Sequence, residues 1–458
     1  MLRRSFLQLA AGTAVRASAA TAAPVNVVFV LMDDLGWRDT GPYGNRLIET
    51  PNLDGFARES VRFTNAYAAC PVCSPTRASI LTGQYPARLH LTDWIPGRKQ
   101  WPTARLIMPS FEQRLPATAP TIAETLRSKG YRSAAIGKWH LGGDGSLPLD
   151  RGFDLNVAGT AAGSPPNYFG PLDLPGLRLA EGEFLTPRLA AEGAAFIAEN
   201  RARPFFLYQA HFTVHIPLQA RADAVAKYRA KSIGDVDPTY CAMVESADEA
   251  FGRTLKAIDD AGVRDRTMVI FFSDNGGVRF QGNRPRPITD NAPLRAGKGH
   301  LYEGGIREPL LIRWPGVSRP GTVVETPVSS VDFYPTICGG KGVDGVSLTP
   351  LLRGGRIPER PLFWHYPHYS DQGGRPAGAI RLGEWKLIEH FEGGRLELFH
   401  LPEDPGEARD LSRTDPRRAA KLHALLKDWR QGVNAAMPGE NPNYDPAKAS
   451  EGLTGYEK

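Results

Sequence analysis

Apolar residues in this chain gather into short continuous runs, and each run is closed by charged residues, histidine or glycine. Asn26-Val27-Val28-Phe29-Val30-Leu31-Met32 stops at Asp33-Asp34, and Thr267-Met268-Val269-Ile270-Phe271-Phe272 stops at Ser273-Asp274-Asn275-Gly276-Gly277. Phe205-Phe206-Leu207-Tyr208-Gln209-Ala210 runs into His211 and His215, and Ser133-Ala134-Ala135-Ile136-Gly137 into Lys138-Trp139-His140. Runs without polar alternation predict parallel strands buried on both faces. Open sheets of that kind place ligands beyond the carboxyl ends of their strands, where these closing residues fall.

Between the runs the period changes to that of helices. Residues 121–129, closed by Gly130, residues 187–200 and residues 240–261 read as helices, and Thr50-Pro51-Asn52-Leu53 opens a shorter one. Met243, Val244, Ala247, Ala250, Phe251 and Leu255 form an apolar stripe along the 240–261 segment, which is a core face. Strands alternating with helices over residues 24–345 predict an α/β sheet with helices on both faces. Past residue 345 the grain changes. Residues 361–365, 379–390 and 395–400 read as short strands and 416–432 as an amphipathic helix, so a smaller sheet-and-helix subdomain is expected over 346–458.

A chain of 458 residues, 41% hydrophobic, can bury a sizeable core, and 48 glycines with 39 prolines point to many loops. Residues 1–22 read as an export signal: Arg3-Arg4-Ser5-Phe6-Leu7 resembles a twin-arginine start, and an apolar stretch and small residues follow. No later run is long enough to span a membrane. Removing Arg3, Arg4 and Arg16, with no acid lost, lowers the formal charge from +6 to +3, too mild to argue for a nucleic-acid partner. Arg279, Arg284, Arg286 and Arg295 make one loop arginine-rich, either as a solvated face or as an attraction for acidic substrates.

Four cysteines do not make a disulfide scaffold. Cys241 and Cys338 fall in helical segments as small core residues. Cys70 and Cys73 are spaced as Cys-x-x-Cys, and spacing alone leaves redox, structural and nucleophilic roles open. Pro75 suits the first turn of a helix and Gly83 its end, so Cys73 sits at a helix N-terminus, a place that favours anions.

Cys73-Ser74-Pro75-Thr76-Arg77, followed by Ile80-Leu81-Thr82-Gly83, resembles the sulfatase signature. Asp33-Asp34-Leu35-Gly36, Gly137-Lys138-Trp139-His140-Leu141-Gly142, Val214-His215-Ile216-Pro217 and Gly297-Lys298 through Tyr302-Glu303-Gly304-Gly305 resemble further motifs of that family, in its order. The segments 381–388 and 398–407 resemble its C-terminal hairpin. The resemblance implies an alkaline phosphatase-like sandwich, a large mixed sheet flanked by helices, with a smaller C-terminal subdomain. It implies that Cys73 is converted by a maturation enzyme to formylglycine. That residue would join Asp33, Asp34, Asp274 and Asn275 around a divalent ion, calcium rather than magnesium; oxygen donors favour either over zinc. It further implies that Lys138 and His140 belong to the active centre, that Lys298 contacts the sulfate, and that Arg77 and Lys138 hold the hydrated aldehyde. One hydroxyl of that gem-diol, deprotonated with help from Asp274, attacks sulfur. His215 or Lys298 protonates the leaving alcohol, and the other hydroxyl, deprotonated with His140, expels sulfate.

The implied activity is hydrolysis of sulfate esters. The segments 90–97 and 214–220 look closer to carbohydrate sulfatases than to simple aryl sulfatases, which suggests exo-desulfation of a sulfated sugar. Trp94, Trp101 and Trp139 are candidates for stacking on sugar rings or for the core. A phosphatase or phosphonate hydrolase of the same superfamily, and a non-catalytic binder of sulfated glycans, are the alternative functions.

Overall fold

The computed structural model describes residues 24–231, 233–280, 287–340 and 342–448. The export segment expected over 1–22, and Arg284 and Arg286, lie outside the described residues. Asn26–Met32 is a strand with all seven residues buried. It lies between Phe205–Ala210 and Thr267–Ser273, parallel to both, and Arg132–Gly137 continues the parallel set beyond Phe205–Ala210. Arg307–Arg313 pairs antiparallel with Thr267–Ser273 and, on its other edge, with Val61–Tyr67. Among the described residues the sheet has nine strands and is mixed. The pattern of apolar runs gives no sign of Arg307–Arg313, whose opening Arg-Glu-Pro leaves only three consecutive apolar residues.

Alternate residues of the central strand serve opposite layers. Val28, Val30 and Met32 join a core with the helices Leu185–Glu199 and Pro238–Asp260. Val27, Phe29 and Leu31 join a second core with the helices Cys73–Thr82, Ile122–Arg127 and Phe333–Cys338. Each such side chain contributes roughly 1.5–3 kcal/mol relative to exposure. The result is a helix–sheet–helix sandwich, as expected, with Cys241 and Cys338 buried in its helices.

The C-terminal part is a four-stranded antiparallel sheet, Leu362–Tyr366, Ala377–Leu382, Trp385–His390 and Leu396–His400. The stretch 379–390 is therefore not one strand; it folds back at Gly383-Glu384. One face of this sheet, with Trp364, Tyr366, Ala379, Ile388 and Phe399, packs on Tyr67, Cys70, Val72, Leu301 and Ile306. The other packs on Ala419, Leu422 and Leu426 of the helix Pro416–Gly432. A buried ion cluster fixes the first contact: Lys386 lies 2.9 Å from Glu303 and 2.8 Å from Glu407, and the Tyr67 hydroxyl donates to Glu303 at 2.6 Å. The small sheet thus braces both chain segments that lead to Cys73 and Lys298.

Three histidines outside the strand-end cluster are fully enclosed, and burial holds each neutral. His211 and His365 are pushed down to about 4 and His368 to about 3. The unfolded chain binds these protons below about pH 6.5, whereas the folded chain does so only near pH 4 or lower. Stability is expected to fall as pH drops from about 6.5 to 4, by an order of 3 kcal/mol per histidine. Urea midpoints measured across that range, compared with those of His211→Gln, test this; the variant loses less between the two ends.

Candidate active site

The closing residues of four parallel strands converge on one point at the sheet's carboxyl edge. Asp33 and Asp34 follow Asn26–Met32, Asp274 and Asn275 follow Thr267–Ser273, Lys138 and His140 follow Arg132–Gly137, and His215 lies five residues past Phe205–Ala210. Cys73 opens the helix Cys73–Thr82, which Gly83 ends in the left-handed region at φ 69°. Lys298 arrives from the loop before Arg307–Arg313. Of these residues and Arg77, all but His215 are buried, and the His215 side chain is 14% exposed.

Charges in this enclosed space are matched pair by pair. Lys138 Nζ donates to Asp33 Oδ2 at 2.7 Å, and Lys298 Nζ lies 2.6 and 2.9 Å from the two oxygens of Asp34. Arg77 Nε donates to Asp274 Oδ2 at 2.8 Å, and its Nη1 donates to the Lys138 carbonyl at 2.8 Å. Asn275 Nδ2 donates to Asp34 Oδ1 at 2.8 Å, the Asp34 backbone N–H donates to Asp274 Oδ1 at 3.2 Å, and His215 Nε2 stands 3.7 Å from Asp34 Oδ2. Burial alone would raise the Asp34 carboxyl; Lys298 above all, with Lys138, outweighs it and holds the group well below the usual carboxylate range. Asp33 goes the other way: burial, joined by Asp274 and Asp34, raises it against the pull of Lys138. Burial would lower the Lys298 ammonium, but Asp34 overcomes that and raises it, so it stays charged. Burial and the nearby cations keep His140 and His215 neutral.

His140 faces Cys73, with Nδ1 3.3 Å from Sγ, and its Nε2 lies 2.6 Å from the Ile95 carbonyl. A carbonyl only accepts, so Nε2 carries the hydrogen and the Nδ1 lone pair is directed at residue 73. Gly163 makes room for this ring, since a Cβ there would come within 2.6 Å of it. Asp34 and His140 both have positive φ, 65° and 58°, a conformation that costs energy outside glycine and is concentrated at functional sites.

The donor set suits a hard divalent cation. Asp33 Oδ1 and Asn275 Oδ1 are buried and accept no hydrogen bond, which is where a cation would supply the missing partner. Among the described residues, Asp33, Asp34 and His215 offer ligand atoms within 4.8 Å of one another; that group does not include Cys73 or Asp274.

Of the residues the sequence left between two roles, the tryptophans pack in the protein's cores. Trp139 is a core residue: its ring meets Phe153 edge-on and its Nε1 donates to the Ser146 carbonyl at 2.7 Å. Trp94 packs against the small sheet's core, and Trp101 leans on Tyr369 at 4.5 Å. Cys70 is a free, buried cysteine whose thiol burial pushes up, and Cys73 is also free. His211 lies in the loop that follows Phe205–Ala210 and is wholly buried. Sequence reasoning passed over Ile95, Gly163 and Tyr168, whose hydroxyl donates to the carbonyls of Phe212 and His215 at 2.6 and 2.9 Å. Only His90-Leu91-Thr92-Asp93-Trp94-Ile95, already conspicuous in the sequence, gave a signal for any of them.

Carboxylates and cations gathered at the carboxyl edge of this sandwich define a hydrolase of the alkaline phosphatase-like fold. A family model described as Sulfatase matches residues 25–342, and one described as N-sulphoglucosamine sulphohydrolase, C-terminal, matches residues 296–432. The chain belongs to the sulfatase family and is a sulfuric ester hydrolase. It is 34% identical to human arylsulfatase A, over 96% of this chain and 86% of that one. It is 32% identical to human N-acetylgalactosamine-6-sulfatase, over 91% and 87%. The crystal structure of Ps i-CgsB in complex with k-i-k-neocarrahexaose superposes with a TM-score of 0.77 at 27% identity, covering 93% of this chain and 96% of that one. Among the described residues no helix is long and apolar enough to cross a membrane.

Proposed function

We propose that this enzyme removes sulfate from the end of a sulfated saccharide, using a formylglycine made from Cys73 and a calcium ion held by Asp33, Asp34, Asp274 and Asn275. The observation that carries the reading is the buried cage of matched carboxylates and cations into which Cys73 projects from a helix N-terminus. Names of similar proteins supply the saccharide: one acts on an N-acetylgalactosamine sulfate, and another is seen with a neocarrahexaose.

Formylglycine, when hydrated, supplies paired hydroxyls, one for attack and one for release, and calcium supplies positive charge beside the sulfuryl oxygens. The chain's own residues do the rest. Lys138, Lys298 and Arg77 offset charge on an anionic ester that would otherwise repel a nucleophile. Asp274, bound to Arg77, stands ready to take a proton from the attacking group, and the Nδ1 lone pair of His140 to take one from the other hydroxyl. His215 and Lys298, both beside Asp34, are the candidates to protonate the leaving alcohol; Lys298 holds a proton in the form described. Exo action rests on the enclosure of the reacting centre, where Lys298, His140 and Cys73 are all buried. The division at residues 345/346, export through residues 1–22, and a maturation enzyme as partner belong to the same reading.

A panel of sulfated mono- and oligosaccharides, aryl sulfates and phosphate monoesters tests it, with the calcium-loaded protein from its own host. Turnover of terminally sulfated saccharides above the others is expected. Preference for aryl sulfates would remove the saccharide, and preference for phosphate would remove the sulfatase assignment of the site.

A further inference from the structure

Beside Lys298 the surface opens into a groove. Arg279 and His300 flank its start together with Lys298, and the two continue into a cleft of about 460 Å³ that also takes in Arg295 and Tyr302. Arg279, Asp290 and Ala292 then lead from this cleft into a second one of about 470 Å³, where Arg38 and Arg46 stand. Each cleft is of the size that holds a small organic ligand, and both far exceed one sulfate group.

The charge along this groove is one-sided. Among the described residues that line it, Arg38, Arg46, Arg279 and Arg295 are exposed, against two exposed carboxylates, Asp235 and Asp290. Asp39, which also lines the second cleft, is buried and bound by Tyr240 and Thr289. Two of the guanidinium groups are held in place. Arg295 lies 3.8 Å over the Tyr302 ring, donates to the Glu407 carbonyl at 2.9 Å and has the buried Glu397 carboxylate 4.0 Å from its Nη1, yet keeps 41% of its side chain exposed. Arg38 donates to the Ala292 carbonyl at 3.2 Å. Anchored guanidinium groups offer paired N–H donors at little entropic cost, the geometry that fits a sulfate or carboxylate.

The geometry points to a second anion subsite: the substrate is an oligosaccharide with a further anionic group on a neighbouring sugar, bound by Arg279 and Arg295 while the reacting sulfate sits at Lys298. This inference rests on the sulfated-saccharide reading above and narrows it to multiply charged chains. The shared chemistry is a planar or tetrahedral oxyanion, either a second sulfate ester or a uronate carboxylate.

Three disaccharides matched in sugar and linkage test the subsite: one terminally sulfated, one with an added internal sulfate, and one with an internal carboxylate instead. For the unaltered enzyme, KM is expected to be about tenfold lower for whichever doubly charged substrate fits, and the gain should shrink in high salt. Arg295→Gln and, as a surface change that leaves the Tyr302 contact alone, Arg279→Gln should each raise that KM about three- to tenfold. Their effect on the singly sulfated substrate should be smaller, and kcat should move little on either. Equal KM values for all three substrates in the unaltered enzyme, or equal KM increases on all three in both variants, would overturn the subsite. If no sulfate ester is turned over, the sulfated-saccharide reading itself fails. Calorimetric titration with the same three disaccharides then still decides whether the groove prefers the added anion.

Discussion

Cys73→Ala is expected to bring turnover of every sulfate ester to background, a loss of about 10⁴-fold or more in kcat, with the fold kept. The side chain removed is small, and its polar neighbour is the ring of His140 at 3.3 Å. The helix it opens has no side-chain cap to lose, because the preceding Val72 makes none. The destabilisation should therefore be modest, and the loss of rate should report the lost nucleophile. Cys73→Ser should be as inactive if formylglycine is the working group, since an ordinary hydroxyl cannot supply the second oxygen that releases sulfate. The companion measurement is the mass of the peptide carrying Cys73 from protein made in its own host. A peptide lighter by the thiol-to-aldehyde replacement is expected. An intact thiol in fully active protein would remove formylglycine from the mechanism, and undiminished turnover by Cys73→Ala would remove residue 73.

The central strands were legible because burial on both faces leaves an unbroken apolar run, and the polar residue that ends such a run marks the sheet's carboxyl edge. Asp33, Asp34, Asp274, Asn275, Lys138 and His140 all announce themselves this way, and the structure brings them together. What the pattern could not carry is anything set by a partner far along the chain. Ile95 acts through its carbonyl, which has no residue signature, and Gly163 acts through the absence of a Cβ that would strike His140. Trp139 sits inside a recognisable motif beside two active-site candidates, yet its side chain points into the core, because neighbours along an extended segment face opposite ways. The arginines were visible as a composition; only the fold shows that Arg279 and Arg295 share a groove with Arg38 and Arg46, some 240 residues away in sequence.

Asp34→Asn is expected to cost as much as the loss of Cys73 in rate, and far more in stability. Asp34 accepts from Lys298 at 2.6 and 2.9 Å and from Asn275 at 2.8 Å, inside a space where its carboxylate is 2% exposed. An asparagine keeps the shape but not the charge, so Lys298 is left as a buried, unpaired ammonium, at a cost of about 3–5 kcal/mol. Thermal unfolding with and without calcium separates this from the loss of a metal ligand. For the unaltered enzyme, calcium at about 100 times its dissociation constant should add about 2.7 kcal/mol, and in Asp34→Asn this increment should vanish. Adding Lys298→Met to Asp34→Asn removes the stranded charge, so the double variant should regain much of the stability but neither the calcium increment nor the turnover. Should the double variant stay as unstable as the single one, the Lys298 ion pair is not what Asp34 contributes to the fold. A calcium increment that survives in both variants would take Asp34 out of the ligand set and leave Asp33, Asp274 and Asn275 to hold the ion.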